Sequence, residues 1–292
     1  MIHLLYCPFT GLGIFSGFRG NAWLRERIKI FKQFVVPSLH AQTSQNFTLW
    51  VSWRKEEKSN YLVKELYTYL CNEFPNRVVF TYAGVCFWDD KYPDEIAHQR
   101  LSLSLHQSMT ELFPFVGNEE EVIMTIQPSD DCYYSGMVEE VQKILKDTQA
   151  CGYTKGYITN YGTKEVREYN PETNPPFFSI KFNKDVFVDP HKHIKYTGPY
   201  KSHEYVPDFL EYKRIDKRGF LVGTHGHNIS THFNIPYAGD KTEIQGFPSF
   251  ELAKPAKIRY TLRKRLMRHL PHRVQRKLRY WFGELLLNKL LW

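Results

Sequence analysis

The chain has no run of eighteen apolar residues, no CxxC pair, and neither of the glycine-rich phosphate fingerprints, GxGxxG and GxxxxGK[ST]. The first absence excludes a membrane-spanning helix of ordinary length. The second removes the common zinc and dithiol motifs, and the third leaves a Rossmann dinucleotide cradle and a P-loop without support. Cysteine is scarce: Cys7, Cys71, Cys86, Cys132 and Cys151 are odd in number and widely spaced, which fits a reducing compartment. The opening MIHLLYCPF has no basic residue ahead of its apolar ones, so no secretory leader is expected. Internal repeats and low-complexity tracts are missing as well.

What is present suffices for a globular α/β body. With 292 residues and 42% hydrophobic content, the chain can bury one large domain or two small ones. The 19 Tyr and 21 Phe suit an ordinary core and equally suit stacking on sugars or bases. The net charge of +8 is unevenly placed. Between Ala256 and Trp292 eleven Lys or Arg face one acid, Glu284, so that this segment carries +10 and the rest of the chain −2.

Hydrophobic periodicity gives alternating strands and helices. Ile2 to Tyr6 reads as a strand, followed by a glycine-containing loop, Cys7 to Asn21. Trp23 to Val36 reads as a helix that stops at Pro37, with Trp23, Arg27, Ile30, Phe31 and Phe34 at spacings of three and four. Phe47 to Trp53 is the second strand, Asn60 to Phe74 an amphipathic helix and Val78 to Tyr82 the third strand, an order that implies parallel pairing with right-handed crossovers. Phe87 to Pro93 is a loop and Ile96 to Phe113 a long helix. Later, Gly156 to Tyr161 and Glu165 to Tyr169 read as strands paired around Gly162. Asn174 to Asp185 and Phe220 to Val222 add two more.

The stretch around Val122 to Ile126 organises the rest. This apolar run needs burial on both faces, as a central strand does. Gln127 and Pro128 end it, and Ser129, Asp130 and Asp131 follow at its C-terminal end. Ligands of open α/β sheets gather there, and two adjacent carboxylates suit a hard divalent cation and, through it, a diphosphate. The alternative is that Asp130 or Asp131 caps the helix expected over Met137 to Lys146. Two further constellations stand out. His225 and His227, one residue apart in GTHGHNIST, could both reach a metal, or could bond backbone in a glycine-rich turn. In Ser202, His203, Glu204 the adjacency argues against a triad, whereas Glu204 alone could serve as a general base; its alternative is an acid at the start of a helix spanning Glu204 to Glu211.

WLRERIKIF, PSLHAQTSQNF leading into a strand, SDD, NPPFF, KSHE and RGFLVGTHGHNIST together resemble the "putative rhamnosyltransferase" family of bacterial glycosyltransferases with the GT-A fold. The likeness spans about Met1 to Thr231. It implies an α/β, Rossmann-like domain over residues 1–255, a mixed, mostly parallel sheet flanked by helices. The halves would be 1–131 for the nucleotide and 132–255 for the acceptor, with a basic amphipathic helical tail over 256–292. The implied activity is sugar transfer from a nucleotide-sugar to a glycan hydroxyl, in bacterial cell-surface polysaccharide synthesis, metal-assisted and inverting.

By the same resemblance Asp130 and Asp131 match the metal-binding DxD position for Mn2+ or Mg2+, although this chain reads Ser129-Asp130-Asp131, where the carboxylates are adjacent and not two apart. His225 or His227 would complete the metal site, and Glu204, with Asp208 as second choice, would be the general base. Arg19, Arg25 and Arg100 would meet the diphosphate or nucleotide, and Asp89 or Asp90 the nucleobase. The tail, a helical pair broken at Pro271 with apolar stripes beside arginines, suits an anionic membrane surface. It equally suits packing on the body or on a second copy. A cytoplasmic protein, peripheral on the inner face of the membrane and acting on a lipid-linked glycan, is the resulting expectation. Two other classes stay open: a nucleic-acid-binding protein using the +10 tail, disfavoured for want of a recognised module, and a metal-dependent hydrolase using His225, His227, Asp130 and Asp131.

Overall fold

The computed structural model describes residues 1–13, 20–86, 100–117, 119–188, 203–225, 228, 231, 233, 235 and 238–257. Arg19, Asp89, Asp90, Ser202, His227 and the tail from 258 to 292 lie outside the described residues. Strands β1 (Ile2–Cys7) and β2 (Leu12–Gly13) precede helix α1 (Asn21–Ile30), a π-helical stretch Phe31–Val35, and α2 (Val36–His40). Then come β3 (Thr48–Ser52), α3 (Tyr61–Glu73), β4 (Val78–Thr81), β5 (Val85–Cys86), α4 (Arg100–Gln107), α5 (Met109–Val116) and β6 (Glu121–Ile126). The second half holds β7 (Cys132–Tyr133), α6 (Met137–Ile144), β8 (Ala150–Asn160), β9 (Glu165–Tyr169), β10 (Phe178–Asn183), α7 (Asp185–Val188), α8 (Val206–Phe209), β11 (Tyr212–Thr224), β12 (Ala238–Lys241) and α9 (Pro248–Leu252).

One sheet of ten strands carries both halves, in the order β12-β9-β8-β10-β6-β1-β3-β4, with β11 beside β8 and β7 beside β11. Strands β4, β3, β1 and β6 run parallel. Strand β10 enters antiparallel between β6 and β8, and β11 follows β8 in parallel along its length. This is the mixed, mostly parallel sheet flanked by helices that was expected. Alternate residues of each strand serve opposite layers. Leu5, Leu49, Val51 and Ile123 pack with Leu24, Phe31, Leu62, Leu66 and Leu70 of the α1 and α3 layer. Leu4, Tyr6, Trp50, Val122 and Met124 pack with Leu105, Leu112 and Val116 of α4 and α5. Among the described residues no helix is long and apolar enough to cross a membrane.

Departures from the sequence reading have local causes. The first helix does not stop at Pro37 but runs on to His40 through the π-helical stretch. There the Val36 N–H bonds the Phe31 carbonyl five residues back, and Pro37 sits in the first turn of α2, where a missing N–H costs little. The long helix near residue 100 is broken at Ser108 into α4 and α5. Strand β11 starts at Tyr212, eight residues before its apolar core, because its first half is largely solvent-facing and carries no apolar run.

A polar line crosses the centre of the sheet. The His3 ring meets the Thr125 hydroxyl at 2.7 Å, and that hydroxyl meets Ser179 on β10 at 2.6 Å. Burial pushes the His3 ring down to about 3, so it is neutral in the folded chain, whereas the unfolded chain binds a proton below about 6.5. Between those values the unfolded state holds more protons. Stability therefore falls as pH drops from about 6.5 toward 3, by up to about 1.4 kcal/mol per pH unit from this residue. Urea unfolding of the native chain and of His3→Gln at about pH 6.5 and about pH 4.5 checks this: the variant should lose distinctly less stability on acidification.

Candidate functional site

The segment from Gln127 to Asp131 links β6 to β7 at the C-terminal end of the parallel strands, and the Gln127 side chain staples it. Its Nε2 donates to the carbonyls of Pro128 at 3.0 Å and Asp131 at 2.9 Å, while its buried Oε1 has no hydrogen-bond partner among the described residues. Strand β11 closes the other side. Phe220 and Leu221 pair with Tyr133 and Cys132, which carries the end of β11, and His225 just beyond it, alongside the acid pair. Gly223 is required for that approach. A Cβ there would lie 2.2 Å from the Tyr161 ring and 2.4 Å from the Asp130 carbonyl oxygen.

The two acids are held differently. Asp130 Oδ2 accepts from Arg27 Nη1 at 2.5 Å and from Asn228 Nδ2 at 3.0 Å, and it stands 3.1 Å from His225 Nε2. A carboxylate can only accept, so the imidazole tautomer with its proton on Nε2 is the one that bonds Asp130; Arg27 Nη1, 3.2 Å from the same nitrogen, is a second donor to the shared oxygen. Arg27 Nε donates to Ser129 Oγ at 2.9 Å. Burial on its own would raise Asp130, but the Arg27 guanidinium and His225 outweigh it and hold the carboxyl below the usual range. Asp131 goes the other way. Burial and the neighbouring Asp130 charge push it well above the usual range, against the Gly223 N–H and Arg27, the N–H donating to Asp131 Oδ1 at 2.8 Å.

Neither acid caps the next helix. The cap position of α6 is Gly136, with no side-chain bond. The His225 ring turns its Nε2 on Asp130. Beneath the pair, Tyr161 donates its hydroxyl to the Asp130 carbonyl at 2.8 Å and stacks on Phe34 with centroids 3.7 Å apart. The C-terminal segment is fastened to the same tyrosine through the Ala256 N–H, 2.8 Å from the Tyr161 carbonyl.

The fit to a divalent cation is carried by Asp131. An acid whose carboxyl is raised by burial and by a neighbouring negative charge is one whose ionised form a cation would favour. Asp130 Oδ2 and His225 Nε2, by contrast, are committed to each other and to Arg27. Among the described residues no three His, Cys, Asp or Glu side chains form a metal-holding group.

The bonds described for the cluster involve none of the other sequence candidates that lie within the described residues. Glu204 and Asp208 line a cavity of about 270 Å³ with Thr154, Glu172, Thr173, Asn174, Tyr205 and Arg214. Glu204 lies in a single 3-10 turn, His203–Tyr205, ahead of α8, and accepts from Thr173 Oγ1 at 3.0 Å. Its neighbour His203 is clamped by Asn174, whose carbonyl is 2.7 Å from Nδ1 and whose Nδ2 donates to the His203 carbonyl at 3.0 Å. The segment that forms the cavity wall leads into β10, whose first residues lie against the end of β6. Arg25 is exposed on α1 and donates to the Tyr61 hydroxyl at 2.8 Å. Arg100 opens α4.

Two residues of the cluster, and one buried acid outside it, escaped the sequence reading. Arg27 was counted as a member of the apolar stripe of α1; an arginine in such a stripe must be paired, and that was the available signal. Asn228 had no signal beyond its place in HNIST. Glu57, buried at 2% past the end of β3, bonds the Arg54 N–H at 3.1 Å and the Thr10 hydroxyl, and burial raises its carboxyl; as one acid in a charged run it carried no mark.

Comparison with known proteins agrees with the sequence resemblance where it reaches. Residues 19–64, the stretch holding Arg27 and β3, match the family described as "Putative rhamnosyl transferase". No curated protein matches the chain. Among solved structures, TarS of S. aureus shares 10% identity at a TM-score of 0.38, over 77% of this chain and 37% of TarS; the chain thus spans little more than a third of that protein. A "putative nucleotide-diphospho-sugar transferase" of Desulfovibrio desulfuricans G20 shares 12% identity at a TM-score of 0.36, over 76% of this chain and 80% of the other.

Proposed function

We propose that this chain is a glycosyltransferase that moves a sugar from a nucleotide-sugar to an acceptor hydroxyl. The observation that carries this is the cluster of buried Arg27, Ser129, Asp130 and His225 with half-buried Asp131 beside them, at the ends of the parallel strands, where α/β sheets bind ligands. The family matched over residues 19–64 supports the same class. The donor lies along the end of β6, with its diphosphate toward Asp131, and the acceptor enters the cavity lined by Glu204 and Asp208.

Asp131 would hold Mn2+ or Mg2+ through a carboxylate oxygen, with His227 as a nitrogen ligand. Such a cation offsets the charge of a departing diphosphate. Asp130 and His225, placed with the metal ligands by the sequence, serve in this proposal to orient the cluster. Glu204 accepts the acceptor's hydroxyl proton as that oxygen bonds the anomeric carbon, and the electron pair of the breaking C–O bond stays on the nucleoside diphosphate. Direct attack by the acceptor hydroxyl, with Glu204 as its base, would give inversion. Within the same proposal, the basic tail holds the protein on an anionic membrane at the cytoplasmic face. A lipid-linked glycan of cell-surface polysaccharide synthesis is then the natural acceptor.

The test is a thermal-shift screen of UDP-, GDP-, CMP- and dTDP-sugars, with and without manganese, on the native chain and on Asp131→Ala. A ligand at a hundredfold excess over its Kd stabilises the folded state by about 2.7 kcal/mol. One donor class should raise the melting temperature with metal present, and Asp131→Ala, still folded, should lose that response. A folded native chain that responds to none of them removes the proposal. Turnover that requires a glycan acceptor separates transfer from hydrolysis.

A further inference from the structure

We infer that Arg27 is a phosphate-binding residue of this site, its guanidinium held at the end of β6 by Asp130 and Ser129 so as to meet the diphosphate of the donor. The inference rests on the transferase reading above and names a contact within it.

Helix α1 and the π-helical turn after it carry four cations, and three of them point away from the cluster. Arg25 is exposed beside Tyr61. Lys29 is exposed and pairs with Glu26 at 2.6 Å, and Lys32 lies 4.0 Å over the Tyr69 ring. Arg27 is 7% exposed and turns inward, with its guanidinium carbon 5.9 Å from the centre of the Trp23 ring. Its Nε and Nη1 are committed to Ser129 and Asp130. Nη2, with two N–H groups, bonds none of the described residues. An arginine held on two of its donors with the third nitrogen left over is the geometry by which a protein offers a fixed fork to phosphate.

The surroundings favour an anion that arrives with its own charge. Asp130 balances Arg27 in the resting cluster, and the same carboxylate oxygen also takes Asn228 Nδ2 at 3.0 Å and stands 3.1 Å from His225 Nε2. The site therefore presents a cation whose orientation is fixed from several sides. As the anomeric C–O bond breaks, its electron pair remains on the terminal phosphate oxygen. Arg27 stabilises that added charge through N–H donation in a water-poor setting, and no proton leaves the guanidinium. A merely structural ion pair would leave phosphate affinity unchanged on substitution by another cation.

The probe is inorganic pyrophosphate, which carries the diphosphate without a base or sugar. It is titrated calorimetrically into the full-length chain, with and without manganese, at about 0.15 M salt so that exposed charges, those of the tail included, are screened. The comparison is with Arg27→Lys, Arg27→Met and Lys29→Ala, each checked for folding by circular dichroism. Lys29→Ala should bind as the native chain does. Arg27→Met should weaken binding about tenfold or more, and Arg27→Lys should fall between, since a single ammonium cannot reproduce the fork. Should Arg27→Met fail to fold, Arg27→Lys decides. Native-like affinity in the folded Arg27 variants overturns the inference while leaving the transferase reading in place. If the native chain binds neither pyrophosphate nor any nucleoside diphosphate, both fall together.

Discussion

Replacing Glu204 with glutamine will slow sugar transfer by about 10²- to 10⁴-fold, the range of general base catalysis, while donor binding stays as it is. The reason for the split is spatial. Glu204 lines the cavity with Thr173 and Asp208, whereas the bonds described for Asp130 and Asp131 run to Arg27, His225, Asn228 and Gly223. Glutamine keeps the size and the hydrogen bond from Thr173 but cannot take a proton. Steady-state rates with a saturating donor, set beside the thermal shift the donor produces, check both halves of the expectation. Asp208, four residues on and in the same cavity, provides the internal comparison. If Asp208→Asn shows the loss and Glu204→Gln does not, the base is Asp208; if neither does, the cavity is not where the acceptor is deprotonated.

Replacing Asp130 with asparagine will lower stability by about 3–5 kcal/mol, the cost of stranding one partner of a buried ion pair. Arg27 Nη1 stands 2.5 Å from Asp130 Oδ2, and the two side chains are 9% and 10% exposed. An amide oxygen can still accept from Arg27, but the guanidinium then sits in the interior without its counter-charge. The pair can be tested as a pair. Arg27→Met alone strands the carboxylate, and the Arg27→Met, Asp130→Asn double variant strands neither. Its loss in urea denaturation should be clearly smaller than the sum of the two single losses. Simple additivity would show that the two groups do not depend on one another.

Much of this was visible in the sequence, and the failures share a physical origin. Val122 to Ile126 declared itself because a strand buried on both faces must be apolar throughout. Asp130 and Asp131 followed because proline ends such a strand at the edge where charge is tolerated. Arg27 stayed hidden because its position is set by the helix, whose face is apolar, while its partner is more than a hundred residues away; local periodicity says where a side chain points and not what it meets. Strands β8 and β11 were underestimated for a related reason. They carry exposed residues such as Lys155, Lys213 and Arg214 and close-packed glycines such as Gly152 and Gly219, so they show neither an unbroken apolar run nor a clean alternation. The separation of Glu204 from the acid pair could not be read at all, since it depends on how β10 threads between β6 and β8.

That threading governs how the molecule can be made. Strand β6 is complete once residue 126 has been synthesised, yet the neighbour on its far side, β10, spans Phe178–Asn183. On the ribosome the first four parallel strands must wait with one central edge unpaired while some fifty further residues emerge. An unpaired edge of that kind, rich in valine, isoleucine and methionine, invites pairing with other chains. A fragment ending at the acid pair therefore holds the first of the site's carboxylates on a surface prone to aggregate. The newborn protein is safe only when its second half arrives to fill the gap.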